Sequence, residues 1–329
     1  MSMSTMSRIS GVSQTGLAAS RRTWRALVAS IALATLFAGC NLAPAHAPTR
    51  IDLAAQPNGI AVRPGDGALF VTDDRSNAVL SSSDRSTWAP YTKLPAAAGQ
   101  ANSLSQIAFA QPATLLVERF GFGTAGALFV VSPGGDPHAL NGLATDRRRL
   151  GLASIGPGRA LSSWFVKVGS QPPTGGVSLV RYDAATGTAV EQDLILGLKK
   201  PVGIAVHGNA LYVADQENNV ILRYDLNALL TAPAPSRAGT AFAQIESPDL
   251  LAIDRSGTLY TKCHAHGFCS VAPDGTVKSL ANDFEGARGV AVDDARHVLY
   301  VVDRAKPSSG ASSAIRVFPL NTDDTTTAR

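Results

Sequence analysis

Four side chains able to ligate, oxidise or move protons crowd the short stretch KCHAHGFCS: Cys263, His264, His266 and Cys269. Two thiolates and two imidazoles are ligand types that suit zinc or copper, but their spacing matches no strong metal motif. Either imidazole, His264 or His266, could act as a general base near neutral pH. The cysteines have a further use. Cys263 ends one strand-like run and Cys269 lies just inside the next, and hairpin neighbours come within reach of a disulfide. The expectation is a Cys263–Cys269 disulfide, with His264 and His266 as the catalytic candidates.

A second set is spread along the chain at one fixed offset. Asn58, Ser105, Leu150, Val202, Asp249 and Arg288 each stand three residues before the alanine of a recurring apolar-Ala-apolar triplet (GIAV, QIAF, GLAS, GIAV, LLAI, GVAV). The alanines Ala61, Ala108, Ala153, Ala205, Ala252 and Ala291 lie 39 to 52 residues apart. Ten to twelve residues after each, a second strand ends, at Asp73, Arg119, Phe165, Asp215, Cys263 and Asp303. A third apolar strand follows in each unit, and after most units a fourth, such as WAPYTKL and TVKSLA.

Short strands repeated at this period are the signature of propeller blades, each of which buries its faces only by stacking on its neighbours. The expected fold is therefore all-β, a six-bladed β-propeller. The last unit lacks a fourth strand, and RIDLAA, from Arg50 to Ala55, is a spare apolar stretch at the other end that can close the ring. The domain reading is 1–39 leader, 40–49 tether, 50–321 propeller and 322–329 polar tail.

In an antiparallel blade the first strand starts on the face where the second ends. Asn58, Ser105, Asp249 and Arg288 are thus expected together at one mouth of the central channel, as binding residues. A hard cation such as calcium wants six or more oxygens; this ring offers one carboxylate, one amide and one hydroxyl beside two aliphatics and a cation. Arg288, from the blade beside Asp249, can pair with it and occupy the oxygens that a metal would need. The longest loops on that face follow Phe165 (VKVGSQPPTGG) and Asp303 (RAKPSSGASS), and loops on a rigid scaffold are where binding tends to reside. The strand-end Asp73, Asp215 and Asp303 are expected to hydrogen-bond turns. No nucleophile elbow, phosphate loop or dinucleotide fingerprint is present.

The repeats resemble those of NHL-type propellers, best at Pro201 to Asp215. PNGIAVRPGDGALFVTD and SPDLLAIDRSGTLY resemble blades of the senescence marker protein/gluconolactonase family, with Leu250 in place of that family's glycine. The resemblance implies a divalent metal such as calcium at the channel mouth, held by Asn58, Asp249 and, from EGARGVAV, Glu285, and lactone hydrolysis as the activity. The residues read by themselves imply no cofactor.

Ahead of the repeats, Arg21, Arg22 and Arg25 precede the uncharged run ALVASIALATLF, which has the length of a signal-peptide core and is short for a membrane span. It ends in LFAGC, which resembles a bacterial lipobox and implies lipidation of Cys40; Asn41 after it would favour the outer membrane of a Gram-negative envelope. Of the 29 basic side chains, four precede residue 40, where there is no acid; the rest balance the 25 acidic ones, so the pI of about 9.1 is no sign of nucleic-acid binding. Two functions follow: a lipid-anchored extracytoplasmic propeller binding a protein, glycan or small molecule through one channel face, or a metal-dependent lactone hydrolase.

Overall fold

Small residues at the repeat triplets let six inner strands converge on one axis. In the computed structural model, which describes residues 50–121 and 125–320, each repeat forms its own four-stranded antiparallel sheet, and six such sheets hold all the strands of the described residues. The innermost strands are Ile60–Val62, Leu104–Gln111, Arg148–Ser154, Pro201–His207, Ala252–Ile253 and Ala287–Asp293, one for each of blades one to six. Each touches the innermost strands of the blades on either side, so the ring is complete. The protein is a six-bladed β-propeller.

The ring closes through its ends. Arg50–Leu53 forms the outer strand of blade six and pairs antiparallel with Ser313–Pro319, Ile51 opposite Ile315 and Leu53 opposite Ser313. Ile51 and Leu53 are buried with Leu69, Val71 and Val302, welding the first and last blades. Between blades the core is apolar, as where Leu161 and Leu179 of blade three meet Ile204 and Leu211 of blade four.

Glycine allows the closest approach at the axis. A Cβ on Gly203 would lie 2.3 Å from the Asp249 carbonyl, and one on Gly289 2.3 Å from that of Asn58. In both cases the inner strand of one blade rests against the mouth residue of the next, and Gly289 N–H donates to the Asn58 carbonyl at 2.7 Å. A side chain there would force the blades apart.

The strand-end aspartates also do structural work. Asp73 accepts from the backbone N–H of Gln56 at 2.7 Å, Asp215 from that of Lys200 at 2.8 Å, and Asp303 from those of Glu285 and Gly286 at 2.9 and 3.0 Å. Each ties the loop entering its own blade to the end of the second strand. The segments expected to be a leader (1–39) and a tether with Cys40 (40–49), and the tail 322–329, lie outside the described residues.

Candidate functional site at the channel mouth

All six residues at the repeat offset, Asn58, Ser105, Leu150, Val202, Asp249 and Arg288, line one cavity of about 570 Å3. The shared offset places them there: each lies at or near the start of an inner strand, on the same face of the ring. Ser105 turns its hydroxyl to the Leu150 carbonyl at 2.6 Å, joining blades two and three.

A second ring, which sequence reasoning missed, adds to the first. Asp74, Phe120, Gln216 and Arg304 each lie one residue past a second-strand end and also line the cavity. Since the preceding aspartate in blades one, four and six is held by the entering loop, the next side chain is left facing the channel. The signal was present in the repeat alignment as a constant step after Asp73, Arg119, Asp215 and Asp303.

The two rings meet in hydrogen-bonded clusters. Arg304 donates to Asn58 Oδ1 at 2.6 Å and to Asp74 Oδ2 at 2.7 Å. Asn58 Nδ2 donates to Asp74 Oδ2 and to the Leu104 carbonyl, both at 2.8 Å, while Asp74 Oδ1 accepts from Leu104 N–H at 2.7 Å. Burial raises the Asp74 carboxyl above its ordinary value, outweighing the opposing pull of Arg304. Across the mouth, Asp249 Oδ2 accepts from Arg288 at 3.2 Å and Oδ1 from Leu250 N–H at 3.0 Å.

This donor set does not fit a divalent cation. A calcium site needs several free, negatively charged oxygens converging on one point. Here the Asn58 oxygen and both carboxylates are turned to guanidinium groups or backbone N–H. Glu285, the third ligand implied by the resemblance, does not line the cavity: its Oε1 accepts from Lys306 N–H at 2.8 Å. Among the described residues no cluster of three His, Cys, Asp or Glu side chains could hold a metal.

His264 and His266 are likewise absent from the cavity wall. Cys263 and Cys269 are disulfide-bonded, which removes both thiolates from any metal set. The short loop between them puts His264 at φ 68°, in the left-handed region, and its Nε2 lies 3.2 Å from Asn282 Oδ1. His266 Nδ1 lies 2.6 Å from the Phe284 carbonyl. Both imidazoles fasten this loop to the connection between blades five and six.

What remains at the mouth is a polar cavity in which five basic side chains, Arg148, Lys167, Lys200, Arg288 and Arg304, face three acidic ones, Asp74, Glu217 and Asp249. Such an arrangement can bind a ligand; among the described residues of its wall no nucleophile–base pair is hydrogen-bonded.

The fold and the mouth define a propeller with one charged, solvent-open cavity on its axis. Solved structures of this shape include a gluconolactonase from Xanthomonas campestris, 17% identical, with a TM-score of 0.60 over 82% of this chain and 88% of that one. A putative gluconolactonase is 18% identical at a TM-score of 0.60, over 83% and 93% of the two chains. The PQQ-bound aldose sugar dehydrogenase of Streptomyces coelicolor is 12% identical at a TM-score of 0.59, over 82% and 96%. At these identities the likeness is one of fold. No family model matches the chain, and no curated protein matches it.

Proposed function

We propose that the protein is a lipid-anchored extracytoplasmic propeller, akin to the gluconolactonase-like NHL group, that binds a small molecule at its channel mouth without a divalent metal. The observation that carries this reading is the mouth cavity itself. About 570 Å3 is within the usual range of small-molecule sites, and its wall is set by six rigid blades. The repeat motifs and the two gluconolactonase structures support the kinship. The leader ahead of Cys40 and the Cys263–Cys269 disulfide support an exported location, since disulfides persist in oxidising compartments. Metal-dependent lactone hydrolysis is disfavoured by the arginines that engage Asn58, Asp74 and Asp249.

A thermal-shift screen of the full chain against a small-molecule panel tests the binding site, with Leu150→Trp as a blocked mouth. Hits are expected to raise the wild-type Tm and to leave Leu150→Trp, verified as folded, unmoved; hits acting equally on both would place binding elsewhere and end the reading. Elemental analysis bears on the metal. One tightly held divalent ion per chain, lost in both Asp249→Asn and Asn58→Ala, would make the hydrolase the better account. For the anchor, Cys40→Ala should release the protein from membranes or block its processing, and unchanged membrane association would sink the lipoprotein assignment.

A further inference from the structure

The mouth cavity has two chemically different sides. On the side built by blades one, five and six, Arg304 and Arg288 engage the carboxylates of Asp74 and Asp249. Across the channel, the strand starts and loops of blades two to four bring Arg148, Lys167 and Lys200 to the wall, with the rings of Phe120 and Phe165 among them. The third carboxylate of the cavity, Glu217, is one acid against these three cations. Neither Lys167 nor Lys200 forms an ion pair with a carboxylate among the described residues.

The aromatic pair forms one apolar surface: Phe120 is half-buried, and Phe165, only 3% exposed, backs it from the core. Phe120 and Phe165 lie 5.9 Å apart between centroids, tilted by 54°. The Arg148 guanidinium sits 5.8 Å from the first ring and 5.6 Å from the second, and the Lys200 ammonium 5.9 Å from Phe165. Cations gathered along one wall repel one another and focus a positive potential into the cavity, which an incoming anion relieves. Phenylalanine offers no hydrogen bond but packs well against a flat apolar partner.

We propose that this side of the mouth binds an organic anion carrying a ring. The ring packs against Phe120 where Phe165 backs it, and the negative oxygens meet Arg148, Lys167 and Lys200. This assignment rests on the mouth being a ligand site and goes on to name the class of ligand. Aromatic carboxylates and aryl phosphates share the chemistry, and neutral sugar lactones lack it.

Titration calorimetry on the full chain with benzoate, phenyl phosphate, benzyl alcohol and inorganic phosphate tests the assignment. Benzoate or phenyl phosphate should bind about tenfold or more tightly than benzyl alcohol, the margin expected of a charge-assisted hydrogen bond, and the better of the two identifies the anionic group. Added salt should weaken binding of the anions. Inorganic phosphate should bind about tenfold less well than phenyl phosphate, because it buries no apolar ring. Lys167→Gln combined with Lys200→Gln should weaken the anion about tenfold at unchanged Tm. Benzyl alcohol binding as tightly as the anions would overturn the charge selection, and inorganic phosphate matching phenyl phosphate would overturn the ring. Failure of all four probes while panel ligands still depend on an open mouth would also overturn the assignment yet leave the mouth as a site. Failure of the probes together with an empty panel would overturn the mouth reading as well.

Discussion

Three consecutive arginines, Arg147, Arg148 and Arg149, serve two regions that treat charge in opposite ways. Arg148 faces the open mouth. Arg149 is fully buried between blades two and three, where its two terminal nitrogens hold Glu191 at 3.0 and 2.7 Å. Arg147 lies 3.7 Å over the Trp164 ring and donates to Glu191 and Asp193, each at 2.7 Å. Deeper still, Glu118 accepts from the Ser162 hydroxyl and has no partner for its other oxygen. Around Arg149, Glu191 and Glu118 the protein supplies the countercharge and little water enters, so the charges act as structure. At the mouth, water and solutes reach the cavity, and Lys167 and Lys200 on its wall form no ion pair with a carboxylate among the described residues.

Breaking one member of each region should expose that difference. Glu191→Ala removes the carboxylate that both terminal nitrogens of the buried Arg149 hold, and breaking a buried pair typically costs about 3–5 kcal/mol. Urea unfolding should register it as the largest loss of any single change considered. A loss no greater than that of a mouth variant would mean that water reaches the network.

Next in size is a pH effect confined to the sealed region. Burial pushes the Glu118 carboxyl from 4.5 up to about 8. Between those values the folded state keeps a proton that the unfolded chain has released. Unfolding therefore releases that proton, and stability falls as pH rises through the window. Glu191 has the opposite sign: its arginines hold it down to about 2 against the penalty of burial, so its contribution is lost as pH falls from 4.5 towards 2. Thermal melts from pH 5 to 9 should show a declining Tm that Glu118→Gln flattens. An equal slope in that variant would assign the titration to another group.

The smallest effect is expected at the mouth. Arg288 is 46% exposed although Asp249 is only 7% exposed, so water screens the pair and stands in for a missing partner. Asp249→Ala should cost about 1 kcal/mol, with any loss of anion binding small beside that from the two lysines. A loss as large as that of Glu191→Ala would show the mouth to be sealed too, and the contrast between the regions would fail.

The comparison also separates what was legible in the chain from what was not. Alternation and small residues are local requirements that every blade must repeat, so the six triplets, the strand ends and the spare strand at Arg50 could be read by self-similarity. The fixed offset before each alanine carried Asn58, Ser105, Asp249 and Arg288 to the mouth for the same reason. Glu285 rests on a family resemblance and His264 and His266 on their side-chain chemistry, not on the repeat offset, and none of them lines the cavity. His264 occupies the very step that sends Asp74, Gln216 and Arg304 inward. The disulfide-closed loop puts it in a left-handed conformation that turns its ring to Asn282.

The sequence by itself determined the number of blades, the closing strand and one ring of mouth residues, because a repeated local pattern under one packing geometry leaves little freedom. Tertiary structure alone decided how the charges are used. Arg304 reaches Asn58 and Asp74 across 246 and 230 residues of chain, and Arg149 finds Glu191 at the outer strand of its own blade. Neither pairing has a local signature, since the ring brings blade six against blade one and the sheet brings strand one towards strand four only once folded. Whether an arginine is sealed between blades, as Arg149 is, or lines the open mouth, as Arg148 does, depends on which wall closes over it.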